Sequence, residues 1–178
     1  MSISRRIMFT TAEALKNRLS GTILFAVEKT IAYYRMHGLR IKWMFADNEF
    51  NPLKNDLMER KQVSLDTAAP DEHVPEVERN IRVVKERIRS VLKGMPYKRL
   101  PPSFKRELVL SCVTLLNMVP RKAGISQLLS PWTLVTGRAI DYEKQCKVKC
   151  GEYSLVHEEN KPTNSMKPCY FHKLFGSN

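Results

Sequence analysis

The segment from Pro75 to about Lys93 restricts the fold more than any other part of the sequence. Its apolar residues recur at intervals of three or four, the spacing of one helical face: Val77, Ile81, Val84, Ile88 and Leu92. Proline is favoured in the first turn of a helix and glycine beyond its end, and Pro75 and Gly94 occupy these positions. We therefore predict an amphipathic helix that packs its apolar face on a core.

A second stripe lies beside the apolar one on this helix, and it is mostly basic. Its members are Glu78, Arg82, Lys85 and Arg89. One interpretation is a solvated face on which Glu78 pairs with Arg82 at i+4, a gain of only ~0.3–0.5 kcal/mol. The other is a face for an external anion, because the bases outnumber the acid. The helix pattern leaves both interpretations open.

The composition favours an anionic partner. The chain of 178 residues holds 30 Lys and Arg against 18 Asp and Glu, a net charge of +12, and such a field attracts polyanions. Its length suits one domain with its own core. No apolar run approaches the ~18 residues of a membrane span, so we expect no membrane partner. Four scattered cysteines do not form a disulfide framework.

Strand and helix patterns alternate along the chain. We predict strands at Ile7–Thr11, Ile41–Ala46 and Val63–Leu65, and helices at Ser20–Gly38, Leu53–Arg60 and Ser103–Met118. Ile41, Trp43 and Phe45 should share one face of the second strand, because side chains alternate along a strand. This order of elements indicates an α/β fold with parallel strand pairing.

Two acids stand at positions that suit a divalent metal. Asp47 follows the predicted strand Ile41–Ala46, and Glu78 lies in the first turn of the long helix. Two carboxylates held in this way can share a divalent cation, and the neighbouring bases suit a phosphate backbone. The pattern points to phosphodiester chemistry on a nucleic acid.

Four segments, in order, resemble the integrase core encoded by Copia-type retrotransposons. Residues 46–50 contain an Asp-Asn-Glu-Phe strand end, and residues 73–82 end in Glu-Arg-x-x-Arg. Residues 116–117 match a Leu-Asn signature, and residues 130–138 match a Ser-Pro…Thr-Gly-Arg signature. Residues 151–158 are similar to the β-rich segment that follows the core in that polyprotein.

The resemblance implies an α/β fold of the RNase H-like type, in which helices flank a mixed sheet. It also implies a site of three carboxylates that binds two Mg²⁺ or Mn²⁺ ions for DNA strand transfer. By position, Asp47 matches the second catalytic and metal-binding acid, and Glu78 matches the third. Arg82 and Lys85 match positions that present base to DNA, and Asn48 would bind phosphate or water.

The family carries its first aspartate on a strand upstream of the one predicted at Ile7, and no residue from Met1 to Arg6 is acidic. We therefore expect a truncated core that is inactive alone. An open sheet edge should make the isolated chain poorly soluble or a homo-oligomer. The predicted organisation is an incomplete core at residues 1–140, a short β-rich segment at 141–168 and a loose tail at 169–178.

Three functions remain open at this point. The first is a DNA-integrating polynucleotidyl transferase remnant, with DNA as partner and the nucleus as its location after a cytoplasmic particle stage. The second is a non-catalytic nucleic-acid-binding module that uses Arg79, Arg82, Lys85 and Arg89. The third is an interaction fragment without a ligand, whose basic helix is a solvated face. DNA binding that weakens with salt would separate the second from the third.

Overall fold

The protein has a mixed α/β fold in the computed structural model, which describes residues 1–69, 74–95, 99–146, 152–157 and 166–170. The helices are α1 Ser20–Met36, α2 Lys54–Lys61, α3 Pro75–Lys93, α4 Pro102–Met118, α5 Pro131–Thr136 and α6 Tyr142–Gln145, with a 3₁₀ helix at Asn48–Leu53. The strands are β1 Ser2–Ile3, β2 Thr10–Thr11, β3 Trp43–Ala46, β4 Ser64–Thr67, β5 Tyr153–His157 and β6 Met166–Tyr170. The predicted α/β class is confirmed at this level.

The strands of the described ranges form three sheets of two strands each. β3 and β4 are parallel, with Trp43 opposite Ser64 and Ala46 opposite Thr67. This pairing confirms the predicted parallel geometry for the second and third predicted strands, between which the 3₁₀ helix and α2 make the crossover. The prediction is wrong for the first, because β2 pairs antiparallel with β1. β1–β2 and β5–β6 are antiparallel, so the segment after α6 contains a β-hairpin.

Helix α1 packs on the parallel pair and forms the main core. Buried side chains of α1, the 3₁₀ helix, α2, β4 and the residue before β4 form one cluster: Ile23, Leu24, Val27, Ile31, Leu53, Leu57, Val63 and Leu65. As predicted, the helix ends at Gly38, which has φ +74°, a conformation that glycine adopts without strain. Just before the helix, the Asn17 carboxamide oxygen accepts from Leu19 N at 3.3 Å and from Thr22 Oγ1 at 2.7 Å.

The predicted strand at Ile7–Thr11 is wrong in its first half. Met8 has φ +61°, and its N–H donates to Ser4 O at 2.8 Å. Ser4 N in turn donates to Phe9 O at 2.9 Å. These bonds close a tight turn, so only Thr10 and Thr11 remain extended and pair with β1.

Strand β3 exposes its aromatic face. Trp43 and Phe45 do share a face, as predicted, but Trp43 is 68% and Phe45 51% exposed. Met44 and Ala46 point the other way and pack against the core of α1. Alternation in a sequence separates the two faces of a strand, but it does not tell which face the fold covers.

Helices α3 and α4 pack against each other and against the β1–β2 hairpin. The bounds of α3 agree with the prediction, and α4 begins one residue earlier than expected. Leu108 and Cys112 are buried on α4. Among the helices in the described ranges, none is long and apolar enough to cross a membrane.

Candidate nucleic-acid interface and acidic pair

Helix α3 presents a basic surface to solvent. Val84 and Asn80 face inward, where both are buried. The four bases of the predicted DNA-binding set are all exposed: Arg79, Arg82, Lys85 and Arg89. Within the described part of the chain, none of these four cations lies in an ion pair with a carboxylate. Their charges therefore remain available to an external anion.

The two predicted metal-binding acids lie at the ends of different elements. Asp47 directly follows β3, and its backbone carbonyl accepts from Phe50 N at 3.0 Å at the start of the 3₁₀ helix. Glu78 lies in the first turn of α3, where the helix dipole favours a negative charge. Asn48 begins the 3₁₀ helix beside Asp47, and all three side chains are exposed.

Arg5 links β3 with the first turn of α3. Its guanidinium Cζ lies 4.7 Å from the centre of the Phe45 ring, a cation–π contact. Its Nη2 lies 3.2 Å from a carboxylate oxygen of Glu76. Phe45 stands two residues before Asp47, and Glu76 stands two residues before Glu78. The turn between β1 and β2 therefore holds together the two elements that carry the predicted acids.

Glu76 and Glu78 leave α3 in nearly opposite directions. Residues two positions apart on an α-helix are rotated by about 200°. Glu76 faces the hairpin through Arg5, whereas Glu78 lies on the edge that carries Arg82, Lys85 and Arg89. The ion pair of Glu76 depends on Arg5, a residue far away in the chain that no local sequence pattern indicates.

A buried polar cluster joins β2, α3 and α4 beneath this surface. Thr10 N donates to Asn117 Oδ1 at 2.8 Å, and Asn117 Nδ2 donates to Thr10 O at 2.7 Å. Asn80 Nδ2 donates to Thr10 Oγ1 at 3.1 Å. Arg121 Nη1 donates to Asn80 Oδ1 at 3.1 Å, and burial lowers the pKa of Arg121 from its ordinary value.

The sequence analysis gave Asn80 and Asn117 no role. Both are only 3% exposed, and each stands among apolar residues on its helix. An amide on the apolar side of a helix is the signal that indicates a buried hydrogen-bond partner. The Leu116-Asn117 segment quoted for the family resemblance thus has a physical role here, because Asn117 fastens α4 to the backbone of β2.

The donor set for a metal is small. In the ranges that the structure describes, no three His, Cys, Asp or Glu side chains come together as a metal site. Asp47 and Glu78 alone supply fewer oxygens than two Mg²⁺ ions require. These residues therefore do not by themselves fit the two-metal centre that the resemblance implies.

No model of a known protein family matches the chain.

Proposed function

We propose that this protein binds nucleic acid through the basic surface of α3 and derives from a retrotransposon integrase core of the Copia type. The observation that carries the proposal is the set of four exposed cations on one helix, none of them in an ion pair among the described residues: Arg79, Arg82, Lys85 and Arg89. Glu78 and Glu86 each stand four residues from Arg82, the spacing of a helix ion pair, and the four bases outnumber these two acids. The surplus of base favours a phosphate backbone as partner.

The derivation from an integrase rests on the order of motifs and on how they are carried. Asp47 directly follows β3, one strand of the parallel pair, and an amphipathic helix presents Glu78 in its first turn. An RNase H-like core would place its second and third acids on elements of this type. Intact family members use such acids with divalent ions for DNA strand transfer. In this chain Asp47 and Glu78 are two acids of that set, and we propose that the chain alone is inactive.

A direct binding experiment tests the proposal. A fluorescent DNA duplex is titrated with the protein at several salt concentrations, and the experiment is repeated with a duplex of unrelated sequence. We expect similar affinities for both duplexes and a steep loss of affinity with salt, because each neutralised phosphate releases counterions. If the protein bound neither duplex at low salt, the better interpretation would be the third function, an interaction fragment that has no ligand.

The second candidate is a nucleic-acid-binding module without catalytic ancestry. The observation that favours it is that four exposed cations lie on α3, whereas the described residues around Asp47 offer too few donors for two metals. The two candidates differ in one measurement. Fusion of an upstream strand that carries the family's first aspartate should produce metal-dependent nicking that Glu78→Gln abolishes if the chain derives from an integrase, and no nicking if it does not.

A further inference from the structure

Three separate segments meet on the hairpin side of α3. They are the β1–β2 turn at residues 4–8, the α4–α5 loop at residues 119–126 and the first turns of α3. Ile125 N donates to Arg6 O at 2.9 Å, which fastens the loop to the turn. The Arg5–Glu76 ion pair fastens the turn to α3 at 3.2 Å. These segments lie far apart in the sequence, so only the three-dimensional structure shows that they meet.

The buried polar cluster of Thr10, Asn80, Asn117 and Arg121 also links these three segments, whose meeting point we call the junction. Arg121 at the start of the loop donates to Asn80 of α3 at 3.1 Å and to Thr10 of β2 at 3.5 Å. A Cβ at Gly124 would lie 3.2 Å from Arg121 O, so glycine suits the turn within this loop, and Met8 Cγ of the β1–β2 turn lies at an ordinary contact distance of 3.6 Å from that position. The loop and the turn are therefore held against α3 by several contacts at once.

The junction is basic. Arg6 and Lys122 are exposed, and in the described structure neither lies in an ion pair with an acid. Arg79 stands one turn after Glu76, and residues at i+3 are neighbours on a helix surface. Neither residues 4–8 nor residues 119–126 contain an acid. Glu76 faces this junction, and Arg5 already neutralises it.

We propose that Arg6, Lys122 and Arg79 form a second phosphate-binding surface that contacts the DNA backbone together with the α3 edge of Arg82 and Lys85. This inference rests on the proposed function and adds the residues that two loops contribute to it. Phosphate contacts of this kind position a duplex without reading its sequence. The surface therefore extends the interface from one helix to three segments.

The test compares three double variants in the salt titration with the duplex. Arg6→Ala with Lys122→Ala should reduce the slope of log Kobs against log salt by about 1.8, because each phosphate contact contributes about 0.9. Arg82→Ala with Lys85→Ala should reduce it by a similar amount. Arg18→Ala with Lys54→Ala removes two exposed bases elsewhere and should leave the slope near that of the wild type.

The outcomes separate this inference from the proposed function. If the wild type binds and the Arg82/Lys85 variant lowers the slope while the Arg6/Lys122 variant equals the control, only the second surface is refuted. If the wild type does not bind DNA, both proposals fail. Far-ultraviolet circular dichroism and thermal melting should match for all variants, because these side chains are exposed, and the Arg6 carbonyl that accepts from Ile125 remains in an alanine.

Discussion

The side-chain amide of Asn117 binds both backbone groups of Thr10, as a neighbouring strand would. Its Oδ1 accepts from Thr10 N at 2.8 Å, and its Nδ2 donates to Thr10 O at 2.7 Å. Both residues are buried, so no solvent is at hand to replace these bonds. A helix residue thereby satisfies one edge of β2 and fixes α4 against the hairpin that carries Arg5 and Arg6.

Asn117→Ala should destabilise the protein by about 2–4 kcal/mol, because it leaves a buried N–H and a buried C=O of Thr10 without partners. Equilibrium urea unfolding measures the change. Asn55→Ala is the matched control, since Asn55 is exposed on α2 and its loss should change stability by less than ~0.5 kcal/mol. If Asn117→Ala were as stable as the control, the two hydrogen bonds between Asn117 and Thr10 would contribute nothing to the free energy of unfolding.

Trp43 and Phe45 should cause self-association. Both are exposed side by side on β3, and exposed apolar patches on a strand favour aggregation. Replacing both with Thr keeps β-propensity and should lower the sedimentation-derived mass and raise solubility. Phe25→Thr removes an aromatic that is 69% exposed on α1. If only the Phe25→Thr variant reduced self-association, the surface that self-associates would lie on α1 instead of β3.

Stability should fall at alkaline pH because of Tyr34. Burial, with a smaller contribution from Tyr33, raises the pKa of Tyr34 from 10.0 to about 12. The native state therefore keeps its phenol protonated while the unfolded state ionises. The stabilisation is complete below pH 10 and is lost as pH rises from about 10 to 12, on the order of 2 kcal/mol. In the Tyr34→Phe variant, the free energy of unfolding measured in urea should fall less between pH 10 and 12 than it does in the wild type. The same fall in both proteins would contradict the assignment to Tyr34.

The sequence predicted local structure well where one pattern fixes one element. Pro75 and Gly94 correctly predicted the bounds of α3. The predicted burial of its apolar stripe is only partly right, because Val84 is buried whereas Leu92 is 37% exposed. Contacts between distant residues carry no such pattern. The Arg5–Glu76 pair and the Asn117–Thr10 clamp join positions far apart in the chain, and the covered side of β3 depends on which helix packs on it.

The chain alone should show no strand transfer or 3′-end processing with Mg²⁺ or Mn²⁺. Two carboxylates supply too few ligands to preorganise two ions against hydration. A gel assay with a labelled duplex and a supercoiled target checks this expectation. Measurable strand transfer by the wild type that disappears with Asp47→Asn would show that another residue supplies the third ligand.

The salt dependence of DNA binding by the Arg82→Ala, Lys85→Ala double variant tests the central claim most directly. Fluorescence anisotropy with one duplex gives log Kobs against log salt for the wild type and the variant. Our account predicts a linear decline for the wild type and a slope smaller by about 1.8 for the variant, one counterion term for each lost contact. Equal slopes for the two proteins would contradict it, because the basic edge of α3 would then not contact DNA.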